Sequence, residues 1–203
     1  LREGSELRFE EVYVREFRGV PQVNLSQYTT VTPLGRSVDV DDDAQRLPIG
    51  EAVGAGGLFD VEVVGNVLEV RDGSGLIERC PDCGRVLQNV QCRAHGDVDG
   101  EDDMRVKAIV DDGTGTVTAM LDRDLTESVY GATMDEAMTA ARDAMDKEVV
   151  ADEIRDRIVG REYRVRGSLS VDEYGANLDA DEFAESADDP ADRASELLAG
   201  VAR

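Results

Sequence analysis

The stretch MRVKAIVDDGTGTVTAML, residues 104–121, decides the fold, because it reads as two strands about a tight turn. In Met104–Val110, Val106, Ala108 and Val110 fall on one face, and Arg105, Lys107 and Ile109 on the other. A period of two is the mark of a strand with one buried face. Asp111-Asp112-Gly113-Thr114-Gly115 is turn chemistry, and Thr116–Leu121 is the returning strand.

Upstream, Val61, Val63, Val67, Leu68 and Val70 form a long strand, interrupted at Gly65-Asn66 where a bulge or bend is expected. Downstream, Thr133 and Glu136 make a capping box. Met134, Ala137, Met138, Ala141, Met145 and Val149 then recur at helical spacing, the stripe of a buried face. The pattern runs on through Ile154 and Ile158 to Gly160, a C-terminal stop. Two further strands follow, Arg161–Val171 and Ala176–Phe183, with Tyr163 and Phe59 expected in the core. The fold class is therefore mainly β with one long helix. The order strand, strand, strand, helix, strand, strand fits the five-stranded Greek-key barrel called the OB-fold, although other small α+β folds share the count.

Residues 1–34 predict a hairpin, with strands Leu7–Val14 and Gln22–Val31 about a turn at Gly19-Val20-Pro21. Gly4-Ser5-Glu6-Leu7-Arg8-Phe9 repeats as Gly160-Arg161-Glu162-Tyr163-Arg164-Val165. Asn24-Leu25 likewise matches Asn177-Leu178. This repeat makes the hairpin the remnant of a preceding OB-fold, unless two hairpins resemble each other by chance. Residues 35–57, rich in Asp and Gly, predict a linker, 58–185 the barrel, and 186–203 an acidic tail with a short helix. A chain opening at Leu1 rather than Met reads as a fragment of a longer protein.

The 203 residues carry a net charge of -23, and Lys107 and Lys147 are the only lysines. Disorder is excluded by 41% hydrophobic residues in periodic patterns. Such an acidic, lysine-poor composition resembles that of cytosolic proteins from salt-loving archaea. At about 1 M salt the Debye length is about 3 Å, so long-range repulsion between this chain and a polyanion is nearly silent. No apolar run approaches the roughly 20 residues that span a bilayer, which predicts no membrane partner. Cysteines confined to one short segment predict a reducing, cytoplasmic setting.

Cys80-Pro-Asp-Cys83 and Cys92-Arg-Ala-His95 are two ligand pairs with two-residue spacers, followed by Gly84 and Gly96. They use every cysteine and the only histidine of the chain. Three thiolates and one imidazole form a closed tetrahedral set that favours one structural zinc ion (Zn2+) over a catalytic one. A cluster of free thiols beside a surface histidine is the alternative, and a redox Cys-x-x-Cys leaves the second pair unexplained.

Three blocks together resemble archaeal replication protein A: Gly75–Cys83, Cys92–Gly96 and Arg105–Gly115. The resemblance covers about residues 58–183. It implies a non-catalytic OB-fold protein that binds single-stranded DNA in replication, repair or recombination, with a zinc knuckle (76–96) after the first barrel strand. It also implies other replication or repair proteins, or further OB-fold subunits, as partners. The binding face of such barrels predicts Arg71, Arg85, Arg105, Lys107, Arg164 and Arg166 as phosphate contacts, with Arg79 and Arg93 nearby and Tyr174 stacking on a base. Aromatics, at 4% of the chain, are scarcer than such a function leads one to expect. Two rivals remain: a metal-dependent hydrolase built on Asp102-Asp103 or Asp111-Asp112, and a docking module without affinity for DNA.

Overall fold

The computed structural model describes residues 5–17, 20–35, 44–88, 91–187, 191 and 198. Part of the expected first turn (18–19), the acidic run 36–43 and most of the expected tail helix lie outside these residues.

Four short strands open the chain: β1 (Leu7–Glu10), β2 (Tyr13–Phe17), β3 (Val20–Asn24) and β4 (Thr30–Pro33). β1 pairs antiparallel with β4, placing Phe9 opposite Val31, and β2 pairs with β3. The expected hairpin is thus a ribbon broken at its middle. At the break Glu11 adopts φ +58°, and its carbonyl accepts a hydrogen bond from the Thr29 hydroxyl.

The expected linker is overturned in its second half. There β5 (Gln45–Arg46) leads into α1 (Ile49–Gly54), and Ile49 and Ala52 are fully buried. Glycine serves close packing here rather than flexibility. A Cβ on Gly50 would stand 2.7 Å from the Thr114 carbonyl oxygen. The turn predicted at 111–115 caps this helix. Ile49 N–H donates to Asp112 Oδ2 at 2.8 Å, and Gly50 N–H to Thr114 Oγ1 at 2.9 Å.

The large sheet is built on β6 (Leu58–Val70), a strand of 13 residues. After it come β7 (Gly75–Arg79), the two-residue strands β8 (Gln91–Cys92) and β9 (Gly96–Asp97), then β10 (Glu101–Asp111) and β11 (Thr116–Leu121). Three helices follow, α2 (Arg123–Tyr130), α3 (Met134–Ala144) and α4 (Glu148–Ile158), and then β12 (Glu162–Asp172) and β13 (Gly175–Glu185). β6 pairs with β12 along its first half and with β10 along its second. That double pairing closes a ring in the order β6, β12, β13, β11, β10. Within the ring only β11 and β13 run parallel. At the changeover a Cβ on Gly65 would meet the Asp111 carbonyl oxygen at 2.6 Å. The irregularity expected at Gly65-Asn66 falls instead at Leu68, the residue skipped between Val67 and Glu69 in the register with β10. Val61, Val67, Met104, Val106, Val110 and Leu178 fill the interior.

The single long helix expected from Thr133 to Gly160 is likewise corrected to two, α3 and α4, and α2 precedes them unforeseen. α3 starts at the predicted capping box, where the Glu136 carboxylate accepts from the Thr133 backbone N–H. It ends where Met145 turns left-handed at φ +54° and Asp146 N–H returns to the Ala141 carbonyl. Asp146 Oδ1 then accepts from Glu148 N–H and starts α4. The interruption shifts the phase of the apolar stripe. Val150, Ala151, Ile154 and Ile158 are buried, whereas Met145, expected in the core, is 92% exposed.

Candidate metal centre and nucleic-acid interface

The two ligand pairs lie between β7 and β10, the chain position expected for the knuckle. The first turn is closed by Gly84, at φ +68°, whose N–H donates to the Cys80 carbonyl at 2.8 Å. The second is closed by the β8–β9 pairing of Cys92 with Gly96, at φ +74°. Both turns need a left-handed residue one position past a ligand pair, which is glycine's role.

The fold brings all four side chains together. Cys80 Sγ stands 3.3 Å from His95 Nδ1, Cys83 Sγ 3.6 Å from Cys92 Sγ, and Cys92 Sγ 3.7 Å from His95 Nδ1. All the donor atoms lie within 4.8 Å of one another. Thiolates bound at about 2.3 Å to one tetrahedral zinc are about 3.8 Å apart, so the donor set fits a single metal ion. Cys80 and Cys92 are buried, Cys83 and His95 exposed. The Ala94 backbone N–H is the main influence holding the Cys92 thiol down, to about 6, while burial pushes Cys80 up.

The sequence-predicted cations separate into two groups. Arg164 and Arg166, on β12, are tied to carboxylates. Arg166 makes a bidentate pair with Asp60, at 2.5 and 2.8 Å, and reaches Glu182. Arg164 lies between Glu62 and Glu182. The hydrogen bond from Arg166 holds the Asp60 carboxyl below its ordinary value. These two arginines therefore brace β6, β12 and β13.

Arg71, Arg105 and Lys107 make no ion pair among the described residues, and they converge. Lys107 and Arg105 are alternate residues of one face of β10. A Cβ on Gly73 would stand 3.2 Å from Arg105 Nη2 and 3.5 Å from Lys107 Nζ. Arg105 Nε donates to the Gly73 carbonyl at 2.8 Å. The turn holding Gly73 is fixed by Ser74, whose hydroxyl donates to the Arg71 carbonyl and accepts from Lys107 N–H. Burial, and then the charges of Arg105 and Arg71, push the Lys107 ammonium below its ordinary pKa. Arg85 is exposed on the knuckle, and with Arg93 it borders a cleft of about 470 Å³ beside Cys92. Tyr174 is 86% exposed at the tip of the β12–β13 hairpin.

Phe59, expected in the core, is 80% exposed. It is paired with Asp60 in a bulge that sets two residues of β6 against Ser168, and Asp60 takes φ +56°. Period two, counted back from the buried Val61 and Val63, assigns Phe59 an inward position, in agreement with its aromatic character. The bulge shifts the alternation by one residue and turns Phe59 outward.

The acidic pairs have local work. Asp112 receives four hydrogen bonds from backbone N–H groups and the Thr114 hydroxyl. Although burial raises the Asp112 pKa, those bonds hold it below the ordinary carboxylate range. Asp103 is gripped by two guanidinium groups, those of Arg79 and Arg123.

No protein-family model and no curated protein matches the sequence. Among solved structures, a chain of a replication protein A heterotrimer bound to ssDNA superposes with a TM-score of 0.50 at 13% identity. That match covers 98% of this chain and 55% of the other, so the chain spans about half the length of this relative. A chain of yeast RPA bound to ssDNA gives a TM-score of 0.49 at 16% identity, over 78% of this chain and 98% of the other. At such identities the likeness concerns the fold alone, and the fold is one shared with a replication protein A chain.

Proposed function

We propose that this chain is a non-catalytic binder of single-stranded DNA, built on a five-stranded OB-fold barrel and serving replication, repair or recombination in a salt-adapted archaeal cytoplasm. The observation that carries this is the convergence of Arg71, Arg105 and Lys107, without ion pairs among the described residues, in a chain of net charge -23. Elsewhere cations such as Arg164 and Arg166 are matched to carboxylates. Mutually repelling, partly desolvated cations are costly until an anion arrives, and the phosphates of a nucleic-acid strand relieve that cost. Arg85 and Arg93 extend the positive charge onto the knuckle, and Tyr174 offers a ring on which a base stacks.

Cys80, Cys83, Cys92 and His95 would hold one zinc ion, which supplies folding energy to the knuckle and no reaction chemistry. The opening ribbon is read as the closing hairpin of another unit of the same kind. Its Phe9 and Val31 are paired as Val165 and Phe183 are in the barrel, but both are exposed. Further OB-fold subunits or replication and repair proteins are the partners that such a face would suit.

Two double variants of equal charge test the assignment. Arg105→Gln with Lys107→Gln should weaken binding to a labelled single strand by at least about tenfold, as expected for two lost phosphate contacts. Arg164→Gln with Arg166→Gln should leave it within about twofold. Equal losses in the two variants would show that overall charge, and not this groove, governs affinity. Wild-type protein that binds no strand would leave the docking-module reading.

A further inference from the structure

Asp103 is the one buried acidic residue among the described residues, at 8% exposure. On β10 it shares the alternate-residue face of Arg105 and Lys107. Its carboxylate joins two elements that are distant in sequence. One oxygen takes Arg79, the last residue of β7 and the neighbour of Cys80; the other takes Arg123, the first residue of α2, at 2.7 Å. Arg79 Nη1 also donates to the Gly84 carbonyl, at the end of the first ligand turn, at 3.1 Å. Arg123 Nη2 donates to the Asp102 carbonyl at 2.9 Å.

The helices hold the knuckle's stem at two more places. Lys147, just before α4, reaches Glu78 on β7 at 2.8 Å. Where β7 begins, a Cβ on Gly75 would stand 3.1 Å from Ala151 of α4. A two-stranded ribbon is marginal by itself and twists freely, so β7 paired only with β10 would carry the knuckle loosely. A buried carboxylate shared by two guanidinium groups removes that freedom, because either bond is costly to break.

We propose that Asp103 is a positioning residue that, through Arg79 and Arg123, fixes the zinc knuckle to the barrel so that knuckle and basic groove engage one nucleic-acid strand as a single surface. This rests on the DNA-binding reading above. Asp103 itself touches no DNA. It sets where the knuckle's Arg85 and Arg93 lie relative to Arg105 and Lys107.

The test is Asp103→Asn in the full chain, with Arg123→Gln as a second variant that removes an exposed partner and spares the buried site. Zinc content should stay at one ion per chain. Affinity for a strand of about 20 nucleotides should fall about tenfold, while affinity for one of about 6 nucleotides stays within about twofold. Simple electrostatics predicts the opposite sign, since deleting a carboxylate beside Arg105 should tighten both. A loss of folded protein would lower both equally. In the absence of DNA, backbone ¹⁵N relaxation should show residues 80–97 tumbling with the barrel in the wild type and independently of it in the variants. A knuckle that stays locked in both variants, or long-strand affinity that is unchanged or tighter, would overturn the proposal. If wild-type protein binds no strand, the DNA-binding reading falls, and relaxation still decides whether Asp103 anchors the knuckle.

Discussion

Met145 closes α3 in the left-handed region, at φ +54°, with 92% of its surface exposed. A side chain bearing a Cβ costs roughly 1–2 kcal/mol there, and glycine costs little. Met145→Gly should therefore raise stability by about 1 kcal/mol, read as a higher urea midpoint at unchanged slope. A lower midpoint would mean that the Met145 side chain makes contacts worth more than the strain. The same scale separates the arginines. Arg166 meets two Asp60 oxygens in the geometry that suits a guanidinium, while Arg105, without an ion pair among the described residues, donates to a backbone carbonyl beside a neighbouring ammonium. Two arginines with similar sequence surroundings thus differ in setting, one bracing strands and one half-buried beside a second cation.

At the scale of elements, what the sequence disclosed is what is written in neighbouring residues. β10 and β11 follow from their period of two, and the two knuckles from paired ligands each trailed by glycine. The start of α3 follows from Thr133 and Glu136. The features that escaped are set by contacts between distant residues. α1 is capped by Asp112 and Thr114, which lie more than sixty residues away, so a stretch of glycines alone reads as a linker. The break after Ala144 has no proline or glycine to announce it, and Met145 accepts the strained conformation because the helices on either side are packed.

The knuckle is also separable as an element. Cys80 and Cys92 are buried, yet neither belongs to the main cluster that fills the barrel. Zinc binding is worth about 10–16 kcal/mol at sites of this kind, so the proposed ion would govern the folding of its own loop. Stripping the ion with a chelator should collapse the amide resonances of residues 80–97 and leave most far-UV ellipticity in place. Loss of the whole spectrum would instead make the metal the keystone of the barrel.

For the whole molecule, the net charge of -23 poses the main physical difficulty. In the proposed function a strand of nucleic acid would be repelled by this chain as a body and attracted by one small part of it. Screening decides between the two. At low salt the Debye length is about 30 Å, spanning the protein, whereas near 1 M it is about 3 Å and only contacts are felt. On the proposed reading, phosphate contacts of Arg71, Arg105 and Lys107 would weaken with salt through counterion release, but stacking on Tyr174 would not depend on charge. That balance would set this chain apart from an ordinary basic binder, whose affinity falls steadily as salt rises.

The most direct measurement is the fluorescence anisotropy of a labelled strand of about 20 nucleotides, titrated with zinc-loaded protein from about 0.1 to 2 M KCl, beside a duplex of equal length and the Tyr174→Ala variant. The account predicts that the single strand is bound and the duplex is not. Binding should persist at the highest salt, and Tyr174→Ala should weaken it by about 1–3 kcal/mol, the worth of one stacked base. No binding by well-folded, zinc-loaded protein at any salt, or equal binding of strand and duplex, would contradict it.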